Sequence, residues 1–184
     1  MRPATSPVVA GCPLTLRPLE LSDAPAWFEF AADPRVLLHT SAQVAQIADL
    51  LPVIERGLSP EPGTPIHFAV CHAPDQRLVG LAGFHSISAL NKTAELTYTI
   101  HPGHWGCGFA SAVCAAVTRW GFEQQGFVRI QATVLPPNLA SIRVLERNGF
   151  LREGMMRSFR LVRGEPRDYL MYSRLPADAM PLDP

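Results

Sequence analysis

Lysine is almost absent from this chain: of its 16 basic residues fifteen are arginine, and Lys92 stands alone. Charge of either sign is sparse, at 17% of residues, and 16 acidic groups cancel the 16 basic ones. A neutral chain has no broad field with which to hold nucleic acid. The four cysteines, Cys12, Cys71, Cys107 and Cys114, form no C-x-x-C pair. No histidine pair has zinc-site spacing on a helix, so free thiols in a reducing cytoplasm are expected, and no metal. No apolar run approaches the ~18 residues a membrane span needs. Val9-Ala10-Gly11-Cys12 has the look of a lipoprotein cleavage box, but Thr5, Ser6 and Pro7 interrupt the apolar stretch that export requires. The common phosphate loops are missing too: there is no G-x-x-x-x-G-K-[ST], and no G-x-G-x-x-G with an acidic residue about twenty positions on.

What is present is enough apolar residue, 47%, for one sizeable core in 184 residues. Residues 1–12 read as a loose, disordered start, 13–175 as a single domain and 176–184 as a proline-rich tail. Leu14–Pro18 predicts a short strand. Ser22 can cap a helix carrying Trp27, Phe28 and Phe30 that stops near Asp33-Pro34. Ser41 can cap a second helix to about Arg56, with Val44, Ile47, Leu50, Leu51 and Ile54 at helical spacing. Strands follow at about 66–72, 77–87 and 93–100, then a helix to about Glu123. That helix repeats Phe109, Val113, Ala116, Val117 and Trp120 along one face. A strand at 128–134, a helix from Asn138 to the Asn148-Gly149 stop, and two strands near 150–161 and 167–175 complete the pattern.

The stretch His104-Trp-Gly-Cys-Gly-Phe-Ala110 carries most of the functional signal. Two glycines, Gly106 and Gly108, sit between a strand and a helix. The first N–H groups of a helix have no partner within it, and the helix dipole adds about half a positive charge there. Glycine permits positive φ and a close approach by the backbone. Such a turn suits a phosphate or diphosphate. A second element, Asn138-Leu-Ala-Ser141, opens the next helix, which ends at Gly149-Phe150.

Taken together these runs resemble the GNAT superfamily of N-acetyltransferases, and within it the RimJ/RimL-like branch. The frame [QR]-x-x-G-x-[GA] reads Trp105-Gly106-Cys107-Gly108-Phe109-Ala110, with Trp105 in place of the usual Gln or Arg. Pro102 lies upstream, as does an A-E-[IL]-x-Y strand at Ala94, Glu95, Leu96 and Tyr98. The resemblance implies an α+β fold: a mixed, mostly antiparallel sheet flanked by about four helices. It implies that Trp105, Gly106, Cys107, Gly108, Phe109 and Ala110 hold the acyl-CoA diphosphate. It places Asn138 on the cofactor arm and Ser141 near the CoA sulfur, as cofactor contact or as acid toward the leaving thiolate. Backbone N–H groups near Thr99, Ile100 and His101 would bind the cofactor's carbonyl oxygen.

Glu95 shares a strand face with Thr97 and Thr99 and is the candidate base for an amine acceptor. Both Asn138 and Ser141 also suit a plain helix start. Cys107 occupies a variable slot of the loop, and His101-Pro-Gly-His104 lies on a turn unsuited to a metal. His85 ends a strand near the implied site and could touch substrate, though packing is the simpler reading, and His39 could line the acceptor pocket. The implied enzyme is a cytoplasmic monomer or homodimer that moves acetyl from acetyl-CoA to a primary amine, on a protein N-terminus or a small molecule. Direct attack in a ternary complex is implied, with no nucleic-acid or membrane partner. Alternatives are another acyl-CoA, such as succinyl-CoA, or a CoA-binding regulator without activity.

Overall fold

A computed structural model describes residues 5–59 and 61–178. Seven strands form one sheet: β1 (Leu14–Pro18), β2 (Ile66–His72), β3 (Leu78–Ser88), β4 (Thr93–Ile100), β5 (Arg129–Val134), β6 (Leu151–Val162) and β7 (Glu165–Arg174). Their spatial order is β1-β2-β3-β4-β5-β7-β6. Among the described strands only β4 and β5 run parallel, with α4 crossing over between them. The helices are α1 (Ala24–Ala31), α2 (Pro34–Leu37), α3 (Leu51–Leu58), α4 (Phe109–Gln125) and α5 (Leu139–Arg147).

Each face of the sheet has its own core. On one, α4 packs Phe109, Val113, Val117 and Trp120 of its expected face against Phe68, Phe84, Leu96 and Ile130, and Ala116 of the same face is buried too. Fully burying a side chain of this size contributes about 1.5–3 kcal/mol, so this one helix anchors the fold. On the other face, Trp27 and Phe30 of α1 and Ile54 of α3 pack on Ala69, Cys71 and Leu81.

Three expectations need revision. The helix expected from Ser41 does not start there. Residues 47–49 make a 3-10 turn, and α3 begins at Leu51. The Asp49 carboxylate accepts the N–H groups of Ala45 (2.8 Å) and Gln46 (3.1 Å), which fixes a turn where a helix would have run. Pro52 then sits in the first turn of α3, where its missing N–H costs nothing. Secondly, α1 is entered through a 3-10 turn, and Asp23, not Ser22, accepts the Glu20 N–H at 2.9 Å. The chain turns helical again from Pro34, with the Arg35 N–H on the Asp33 carboxylate. Thirdly, the described part of the start is not loose. Thr5 accepts the Trp120 indole N–H at 3.2 Å, Val8 accepts from Arg119 at 3.1 Å, and Val9 and Cys12 pack on the core. A buried indole needs an acceptor, and this segment supplies it. Residues 1–4 and 179–184 lie outside the described residues.

Candidate active site

Strands β4 and β5 pair only over Thr93–Glu95 and Arg129–Gln131, then part. Beyond Glu95, β4 continues beside β3 alone, while β5 continues beside β7. The gap between them opens toward the glycine turn. His101 donates to Val79 at 2.8 Å, which sets the alternation of the β3–β4 ladder. Thr99 and His101 therefore turn their main-chain groups to β3, and Tyr98 and Ile100 turn theirs to the gap. The Ile100 carbonyl confirms the phase, since the Trp105 indole N–H donates to it at 2.7 Å. Of the three N–H groups expected to face a carbonyl oxygen, only that of Ile100 points into the gap.

The turn itself has the expected geometry. Gly106 and Gly108 have φ of +79° and +76°. A side chain at either would meet no protein atom within 4 Å, so it is conformation, not crowding, that calls for glycine. Gly108 is the N-cap of α4 and has no side chain to satisfy the helix start. The first helical bond runs from Ala112 N–H to the Gly108 carbonyl, so the N–H groups before it have no acceptor within the helix. Ala110 is half-buried behind Phe109, and Cys107 is exposed. The turn carries no cation, but one approaches from α2: the Arg35 guanidinium lies 5.8 Å from the centre of the Trp105 ring and pairs with Asp33 at 2.7 Å. His101 and His104 serve the turn. His101 Nδ1 accepts the Gly103 N–H at 2.9 Å, and His104 stacks on Phe109.

Asn138 caps α5, its side-chain oxygen accepting the Ser141 N–H at 3.1 Å. The Ser141 carbonyl accepts from the Tyr98 hydroxyl at 3.3 Å, which fixes α5 beside the gap in the sheet. Asn148, buried at the other end of α5, donates to Ser111 of α4 and to the Val144 carbonyl.

Glu95 is buried at 7% exposure on the α1–α3 face of the sheet. Three donors converge on its Oε1: Thr133 of β5 at 2.6 Å, Arg160 of β6 at 2.8 Å and His85 of β3 at 3.5 Å. Burial raises its pKa, but the bonds from His85 and Thr133 and the charge of Arg160 outweigh that and hold it at about 2. Two β-bulges deliver these partners. His85 is the extra residue where Phe84 pairs with Leu96 and Ser86 with Glu95. Residues 157–159 of β6 lie opposite the single residue Asp168, whose carboxylate accepts the Ser158 N–H at 2.8 Å with Ser158 at φ +48°. That bulge turns Arg160 onto Glu95. Sequence reasoning missed Arg160 and Thr133 and favoured mere packing for His85. A bulge leaves no mark in hydrophobic alternation. The one usable signal was Gly83, two residues before His85: a glycine inside a strand marks a close backbone approach, and here a side chain would come within 1.9 Å of the Ile66 carbonyl. His39 lies in the α2–α3 connection, and its N–H donates to the Val36 carbonyl.

A gap between parallel strands that faces a positive helix end, with a buried carboxylate beside it, makes a slot suited to an anionic carrier. Residues 13–151 match the acetyltransferase (GNAT) domain, and the chain belongs to that family. It is 33% identical over 166 residues to the uncharacterized N-acetyltransferase p20 of Bacillus licheniformis, covering 88% of this chain and 92% of the relative. The fold resembles that of Mycobacterium smegmatis RimJ in complex with CoA-disulfide, with a TM-score of 0.79 and 23% identity over 89% of this chain and 82% of that one. It equally resembles Vibrio cholerae spermidine N-acetyltransferase in complex with CoA and spermine, with a TM-score of 0.80 and 22% identity over 90% and 97% of the two chains. Among the described residues no helix is long and apolar enough to cross a membrane.

Proposed function

We propose that this chain transfers an acetyl group from acetyl-CoA to a primary amine by direct attack within a ternary complex. The observation that carries the reading is the parted β4–β5 pair ending at a left-handed Gly-x-Gly turn and the open end of a 17-residue helix. The residues present fit an acyl-CoA. Main-chain donors from Gly106 to Ala110 would hold its diphosphate, with Arg35, already paired to Asp33, alongside over Trp105, and the helix pair α4–α5 would flank the arm. The thioester supplies an activated acyl carbon and a thiol leaving group with a pKa near ~8.5.

The chain's own part is positioning and proton handling. The Ile100 N–H faces the gap where negative charge would build on the carbonyl oxygen. Glu95 stays ionised, and none of its three donors reaches Oε2, which is therefore the point that attracts and orients the incoming ammonium. A carboxylate held at about 2 is a weak proton acceptor at neutral pH. His85 lies beside Glu95 with Nε2 turned to its carboxylate, and the ring's other nitrogen, Nδ1, is the atom that takes the proton. Ser141 stands at the start of α5 as donor to the departing thiolate or as a contact to the cofactor arm.

The test is acetyl-CoA titration by calorimetry together with thiol release over a panel of peptides, polyamines and small amines. Saturable binding with acceptor-dependent thiol release supports the reading. Binding without release for any amine makes the protein a CoA-binding regulator instead.

A further inference from the structure

The β6–β7 hairpin carries a charge imbalance that acyl transfer does not require. Its residues 151–174 include six arginines and three acidic residues, in a chain whose formal net charge is +0. Two of those acids are engaged elsewhere. Glu153 pairs with Arg129 at 2.7 Å, and Asp168 holds the Ser158 bulge. Arginine dominates the whole chain, so it is the placement of these residues that informs, not their type.

Arg160 and Arg167 are direct partners across the hairpin, so their side chains share a face. Like charges in that register repel. Arg160 is compensated by Glu95 and lies over the Phe159 and Tyr169 rings at 5.0 and 5.4 Å. Arg167 is exposed and enters no ion pair among the described residues. At the tip, the Arg163 guanidinium donates to the Leu37 carbonyl of α2. With Leu37, residues 42–45 and Asp49 it lines a cavity of about 540 Å³ between hairpin and helices. Arg160, on Glu95, and Arg167 thus share one face of the hairpin, with Glu165 two residues before Arg167, while Arg163 stands at the tip beside the cavity.

We propose that the acceptor is a peptide N-terminus with an acidic residue at its second or third position. Its carboxylate seats against Arg167 and Arg163 while its amine meets Glu95 and His85. Direct cross-strand neighbours lie ~5 Å apart and an extended peptide advances ~3.4 Å per residue, so Arg167 falls within reach of the second or third side chain. A polyamine would lay a string of positive charge along the same wall. The proposal rests on the acetyltransferase reading and narrows it to a substrate class.

The experiment compares thiol release from acetyl-CoA with three peptides, Ser-Glu-Glu-, Ser-Ala-Ala- and Ser-Lys-Lys-initiated, and with spermidine, using the wild type and Arg167→Glu. In the wild type the acidic peptide is expected to exceed the basic one by ~10-fold or more in kcat/KM, with the margin shrinking as salt rises. Arg167→Glu should cut the acidic peptide ~10-fold, leave the neutral one within about twofold, and raise the basic one. Spermidine or the basic peptide matching the acidic one overturns the proposal. So does an Arg167→Glu effect equal across all three peptides. If no acceptor turns over, anisotropy of the same peptides, labelled at their C-termini, on the CoA-loaded protein gives the ranking, and a flat ranking is fatal to the proposal. Calorimetry with acetyl-CoA runs alongside: loss of that binding in the wild type sinks the parent reading instead.

Discussion

On the proposed reading the donor side of this molecule is built mainly from one stretch of chain, Ile100 to Phe150, whereas the acceptor side gathers Leu37, His85, Glu95, Thr133, Arg160 and Arg163 from five segments, only one of them inside that stretch. The donor side works mainly through main-chain groups: the Gly-x-Gly turn, the first N–H groups of α4 and the Ile100 N–H. The acceptor side works through side chains brought together by two β-bulges. Main-chain chemistry tolerates change in side chains so long as the backbone keeps its shape. Side-chain chemistry depends on register, and a one-residue slip in β3 or β6 would disperse the Glu95 cluster.

Substitutions can break that contrast, beginning with the most severe. Gly108→Glu forces a side chain into φ +76° and sets a negative group at the helix end. Acetyl-CoA affinity should fall ~100-fold or more, while far-UV circular dichroism stays native. A folded variant with ordinary affinity in calorimetry would show that the turn is not the diphosphate site. Glu95→Gln keeps the shape and removes the charge opposite Arg160. We expect kcat/KM for the amine to drop ~100-fold with acetyl-CoA affinity unchanged. Equal loss of both would mean that the two sides are not separable.

The same carboxylate governs acid sensitivity. Its folded pKa of about 2 lies below the ordinary 4.5, so the unfolded chain protonates first as pH falls. The stabilisation is complete above about 4.5 and is lost between 4.5 and 2. Its size is about 3 kcal/mol. Urea melts of wild type and Glu95→Gln should converge across that interval; parallel curves would contradict the assignment.

A smaller effect is expected at Trp105→Phe, which deletes the 2.7 Å bond to the Ile100 carbonyl and leaves the ring. The cost should be ~1 kcal/mol in stability, with a few-fold rise in KM for acetyl-CoA. Ser141→Ala is expected to be the mildest, under ~10-fold in kcat, because a thiolate needs little help to leave. No change at all would restrict Ser141 to its place in the capped helix.

The same contrast explains what could be read from the residues alone. Strands, the α4 face and the Asn138–Gly149 helix follow from local periodicity and capping, and each lies within one or two residues of its expected bounds. The Gly106–Gly108 turn was legible because two glycines between a strand and a helix mark a left-handed backbone directly. The Ser41 helix was misread because Asp49 and Pro52 act against an otherwise helical pattern. Arg160 was invisible because its meaning comes from Glu95, 65 residues away, and from a bulge held by Asp168.

Asn148 has a consequence for how the donor side meets its ligand. Its amide bolts the far end of α5 to the first turns of α4 through Ser111. At the near end the Tyr98 hydroxyl of β4 holds the Ser141 carbonyl, so α5 cannot swing without breaking a half-buried bond. The slot proposed for the thioester carrier is therefore set in width before anything enters it, and little of the binding energy would be spent on stiffening the protein.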